Sequence, residues 1–152
     1  MKTALFASLS LFLLLPSCGN SGVAGTWVLD TSVMKKKMQE SMNRAQAKNP
    51  KQNAMAKMFM KQMLASLDKM KVQMVLHGDG TFTVTSSTPK SKAPQEGKGT
   101  WKLEKDILTL TPKSGNAFGA KLEPKKFRYD GSTLVPEDDS KAKEAGMVFR
   151  KQ

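Results

Sequence analysis

The chain has 152 residues, a formal net charge of +12 and a mean hydropathy of -0.43. This is one domain's worth of sequence, large enough for a single core. A lone cysteine, Cys18, excludes an internal disulfide, and a lone histidine, His77, excludes any His-cluster metal or catalytic centre.

In chain order, the first segment is a targeting sequence. Lys2 provides a short basic region, and Ala4 to Leu15 is an apolar run too short to span a bilayer, which needs about 20 apolar residues. The run ends in Leu15-Pro16-Ser17-Cys18. A small residue before a cysteine at this place resembles the lipobox of bacterial lipoproteins, which implies removal of residues 1–17 and acylation of Cys18. Because each buried methylene contributes about 0.8 kcal/mol, two or three acyl chains would hold the protein on a membrane without measurable release. Gly19 after the cysteine points, by the same resemblance, to the outer membrane and a periplasm-facing protein. Residues 18–23 read as a short tether and residues 24–152 as the folded domain.

Ala24 to Leu29 reads as a first strand carrying Trp27. From Asp30 to Lys71 the sequence is rich in Met, Lys, Gln and Ala, which favour helix. Asp30, Thr31 and Ser32 offer N-caps, and Asn49-Pro50 interrupts, so two helices are predicted over about 32–47 and 50–70. Met34, Met38 and Met42 share one face of the first. Met55, Met58 or Phe59, Met63, Leu67 and Met70 form the apolar face of the second, with Met60 off that stripe. After Val72 the apolar period drops from near four to two. Val72, Met74 and Leu76 alternate, Gly78-Asp79-Gly80 turns the chain, and Phe82 and Val84 follow. A polar loop over 87–97 leads to a hairpin with Trp101 and Leu103 facing Leu108 and Leu110 across a turn near Glu104–Asp106. Phe127 and Tyr129 precede an Asp130-Gly131 turn and a short strand with Leu134. Residues 137–146 read as a loop, and a last strand places Met147 and Phe149 inward.

The pattern is mainly β: an antiparallel meander of about eight strands closing into a small barrel, with a Met-rich helical pair inserted after the first strand. Closure removes exposed sheet edges and requires the first strand to pair with the last. Gly25-Thr26-Trp27, Asp79-Gly80-Thr81-Phe82 and Gly99-Thr100-Trp101-Lys102-Leu103 resemble the strand and hairpin signatures of lipocalin-like domains in small bacterial lipoproteins, a likeness covering Ala24 to Lys151. The resemblance implies a binding protein with ligand held in the barrel and Gly-x-Trp at its closed end. The inserted helices depart from a plain lipocalin meander.

No catalytic constellation is legible. His77 has no nucleophile or carboxylate partner in a known motif, Cys18 would be acylated, and no paired-carboxylate, Gly-rich phosphate-loop or zinc-ligand spacing occurs. Glu137-Asp138-Asp139 lacks the spacing of a calcium loop. The reading is therefore a non-enzymatic, lipid-anchored envelope protein without cofactor. Its expected ligand is small and apolar or amphipathic, contacted by Trp27, Phe82, Trp101 and Leu110 in the barrel interior and by Met58 and Met63 from the helices. The alternative is an interaction lipoprotein whose basic face, including Lys35, Lys36 and Lys37, docks on an anionic envelope component. Nucleic acid is not an expected partner, because lysine rather than arginine carries the charge and no aromatic-interleaved motif accompanies it. A third, less favoured reading is Cu(I) sensing or buffering by the methionines, since thioethers are soft ligands; no metal site is assigned on it.

Overall fold

The structure is a computed structural model that describes residues 22–48, 53–89, 91–115 and 122–152. The expected signal peptide, Cys18 and the Asn49-Pro50 break lie outside the described residues. Strand β1 (Gly25–Leu29) leads into helices α1 (Thr31–Lys48) and α2 (Asn53–Lys69). There follow β2 (Lys71–Leu76), β3 (Thr81–Ser87), β4 (Gln95–Glu104), β5 (Ile107–Gly115), β6 (Lys125–Tyr129) and β7 (Thr133–Pro136). A short helix α3 (Ser140–Glu144) and β8 (Phe149–Lys151) complete the chain.

Among the described residues, eight antiparallel strands close into one barrel in sequence order, as the alternation and turn signals predict. The seam is the pairing of β1 with β8, in which Trp27, Val28 and Leu29 oppose Lys151, Arg150 and Phe149. Asp30 fixes the seam and the first helix together. Its backbone N–H donates to the Val148 carbonyl (2.8 Å), its carboxylate accepts from Arg150 Nε (2.6 Å), and the same carboxylate caps α1 through Ser32 N (3.0 Å) and Ser32 Oγ (2.5 Å).

The strand directions give the barrel two unlike ends. The start of β1, the His77–Gly80 turn, the Lys105–Asp106 turn and the Asp130–Ser132 turn lie at one end. The helical pair, residues 88–89 and 91–94, and α3 lie at the other. Trp27 and Trp101 belong to one core and both serve the turn end. Trp27 Nε1 donates to the Val23 carbonyl and Trp101 Nε1 to the His77 carbonyl, each at 2.9 Å, so the indoles are buried with their polar atoms satisfied. Tyr129 meets Trp27 edge-on at 5.8 Å and donates its hydroxyl to the Gly22 carbonyl (3.0 Å). Phe82, Val84, Met74, Leu76, Leu108, Leu110 and Leu134 fill the middle and are almost wholly buried.

Two elements differ from the sequence expectation. β4 begins at Gln95, inside the stretch expected to be loop. Residues 137–146 contain α3, because the Asp139 carboxylate accepts from Ala142 N (2.9 Å) as an N-cap and Gly146, at φ 77°, ends the turn. Gly146 is buried against Val33 and Lys37 of α1, and Lys37 Nζ donates to the Lys143 carbonyl (2.8 Å), so α3 holds the first turns of α1 over the barrel.

Gly99 is required by close approach. It is the cross-strand partner of Phe82, next to a register shift in the β4–β5 pairing. A Cβ there would lie 2.2 Å from the Thr111 carbonyl oxygen and 2.7 Å from the Phe82 ring, so the aromatic face occupies the space a side chain would take. Gly99→Ala should therefore lower unfolding free energy by about 1–3 kcal/mol, the cost of overpacking a filled core. Gly78→Ala, where nothing lies within 4 Å, should change it by less than about 0.5 kcal/mol in the same urea titration.

Candidate functional site at the barrel mouth

A cavity of about 560 Å³ opens at the helical end of the barrel, within the size range of small-molecule sites. Its floor is Leu29, Val72, Phe127 and Phe149, and Met147 lines its wall. Phe127 and Phe149 meet edge to face with centroids 5.8 Å apart, which sets a rigid aromatic corner. The position follows from strand order. β1 ends, β2 begins, β6 begins and β8 begins at this end, so the first inward side chain of each points into the mouth rather than the packed middle.

Charged residues from β6 and the α3 segment surround the apolar floor. Asp138 forms an ion pair with Lys126 (3.6 Å), Glu137 accepts from Arg128 Nη2 (2.7 Å), and Asp139 caps α3. The acidic triplet expected to be a solvated loop is thus engaged one carboxylate at a time, with Asp138 and Asp139 lining the cavity. Lys125 shares the inward strand phase of Phe127 and lines the cavity.

The site residues expected from sequence divide into three groups. Trp27, Phe82, Trp101 and Leu110 all lie in the barrel interior as packed core and none of them lines the cavity; Leu110 sits beside it as the cross-strand partner of Lys125. Met63 lines a second, shallower groove of about 470 Å³ between α1 and α2, with Met34, Met38, Met42 and Met60. Met58 faces solvent, 77 % exposed, beside the exposed Met55 and Phe59. Met60 corrects the expected stripe: it shares the groove with Met63, because Phe59, Met60 and Met63 turn toward α1 while Met55 and Met58 turn away. The lysine cluster is also partly committed, with Lys35 paired to Asp68 of α2 and Lys37 bonded to α3. Among the described residues no group of three or more His, Cys, Asp or Glu is placed to hold a metal ion, and no helix is long and apolar enough to cross a membrane. His77 sits exposed at the end of β2.

The sequence pattern places Met147 and Phe149 inward and Phe127 on a strand, but shows neither the cavity they share nor Lys125. The available signal was the two-residue period linking Lys125 to Phe127. Compared with protein-family models, curated proteins and solved structures, the chain matches none.

The opposite end is held by aspartates. The Asp79 carboxylate accepts from Thr81 Oγ1 (2.6 Å) and Thr81 N (2.8 Å). That of Asp130 accepts from Thr133 Oγ1 and Thr133 N (2.6 Å each) and Ser132 N (2.9 Å). These bonds favour the ionised form. For Asp79 the Thr81 hydroxyl is the largest cause and for Asp130 the Thr133 hydroxyl; both carboxyls are held below the usual range, Asp130 furthest. Asp30 is lowered too, first by the Ser32 hydroxyl and then by Arg150. A carboxyl lowered in the folded state contributes stability that is complete above its unfolded pKa, about 3.9, and is lost as pH falls through the folded value. The urea midpoint should therefore fall steadily below about pH 4, and Asp130→Ala should start lower at pH 7 and fall less steeply. Parallel curves for the two proteins would remove Asp130 from this account.

Proposed function

We propose that this is a non-catalytic envelope protein, lipid-anchored through Cys18, that binds a small apolar or amphipathic ligand at the mouth of a lipocalin-like barrel. The observation that carries the reading is the mouth cavity itself: an apolar, aromatic-cornered recess with charged groups at its rim, above an otherwise filled barrel. A filled lower barrel confines the ligand to the mouth. Cys18 is four residues before Gly22, whose carbonyl is held at the turn end by Tyr129 and Lys151. An acylated Cys18 would therefore set the mouth away from its membrane, open to the periplasm in an outer-membrane protein.

The test is native mass spectrometry of the Cys18→Ser chain purified from a bacterial envelope extract, beside the same chain carrying Met147→Trp, which fills the recess. The expected result is a small-molecule adduct on the first and its loss on the second, with unchanged circular dichroism. An adduct retained equally by both, or absent from both, contradicts the reading.

One observation favours a second reading. The antiparallel hairpin, its register set by the Lys35–Asp68 ion pair, brings Met38, Met42, Met60 and Met63 to one groove, and thioethers select soft Cu(I). Titration with Cu(I) against a chromogenic chelator should show binding that is lost when Met60 and Met63 become leucine. An unaltered chelator signal in the wild type removes this reading.

A further inference from the structure

We propose that the mouth cavity selects anionic amphipaths, an apolar chain ending in a carboxylate or phosphate, with the head group on the ammonium of Lys125; this rests on the mouth being the ligand site. Lys125 is the first residue of β6, opposite the fully buried Leu110 of β5, and it alternates in phase with Phe127 and Tyr129. Its neighbour Lys126 takes the other phase and pairs with Asp138. Lys125 is half-buried, lines the cavity, and its side chain makes no hydrogen bond or ion pair among the described residues. An ammonium with no protein partner beside an apolar floor is open to an anion delivered by a ligand.

Formal charge does not decide the matter. The lining holds Lys125, Lys126 and Lys141 against Glu123, Asp138 and Asp139, which cancel. Placement decides it. Asp138 is neutralised by Lys126, Asp139 is committed to the α3 N-terminus, and Glu123 has an interaction of its own. Lys125 and, on α3, Lys141 are the cations of the cavity whose side chains have no such partner among the described residues. An apolar chain laid on Leu29, Val72, Phe127 and Phe149 would leave its head at the rim, where β6 begins. A carboxylate or phosphate there forms an ion pair with Lys125, both partners charged, whereas an alcohol of the same chain length accepts from the ammonium without a countercharge.

The test is calorimetry on the Cys18→Ser chain with dodecanoate, dodecyl phosphate, dodecanol and dodecyltrimethylammonium, each below its aggregation limit. At least one anion should bind roughly tenfold or more tightly than dodecanol, the order expected when an ion pair replaces an ammonium–hydroxyl contact. The two anion arms separate a carboxylate from a phosphate head. Lys125→Gln should bring the anions to the dodecanol affinity and leave dodecanol unchanged, and Lys125→Arg should preserve the preference. Equal binding of anions and dodecanol, tighter binding of the trimethylammonium compound, or a preference that survives Lys125→Gln overturns the head-group assignment and leaves the mouth as a ligand site. No binding of any probe, dodecanol included, overturns the mouth reading and this inference with it.

Discussion

Closure of the barrel depends on a short seam. Three residue pairs join β1 to β8, supported by Gln152 N–H donating to the Thr26 carbonyl (2.9 Å) and by the Asp30–Arg150 ion pair. An antiparallel sheet with two open edges exposes unpaired backbone groups and invites association with other strands. The seam removes both edges with very little chain. It also brings Leu29 and Phe149 side by side, which makes one wall of the mouth. Asp30 is the joint of the arrangement, since one carboxylate holds the last strand and starts the first helix.

From this closure the two ends acquire different roles. At the turn end, buried indoles, a tyrosine bound to the Gly22 carbonyl and aspartate-held turns leave a well-filled core. Burial of each large apolar side chain there contributes about 1.5–3 kcal/mol. At the helical end α3 bridges β7 to α1 instead of filling the interior. The recess is thus a product of where large side chains stop. Below it are Trp27 and Phe82, and at its level are a phenylalanine pair, Leu110 and the half-buried Lys125. Met34 of the helical pair packs against the barrel core, Met38, Met42, Met60 and Met63 line the interhelical groove, and Met55 and Met58 face solvent.

The strand order, the turns, the helical insertion and the shared core of the two tryptophans were legible because each rests on local periodicity. Trp101 and Leu103 facing Leu108 and Leu110 follows from a tight hairpin alone. The features that escaped depend on contacts distant in sequence. Gly99 looks like any strand glycine until Phe82 is laid across it. Residues 137–146 look like a polar loop unless Asp139 is recognised as a cap. Met60 leaves the apolar stripe of an isolated helix, yet α1 supplies a second apolar face for it. The mouth cavity is least legible of all, since its lining comes from both ends of the chain and the period of β6 had to be read through a lysine.

The central claim is that the mouth, and not the interhelical groove, receives an apolar chain. Methyl NMR of the Cys18→Ser protein titrated with dodecanoate tests it directly. The account predicts shifts confined to Leu29, Val72 and Met147. Shifts at Met38, Met42, Met60 and Met63 with the mouth methyls unmoved would contradict it.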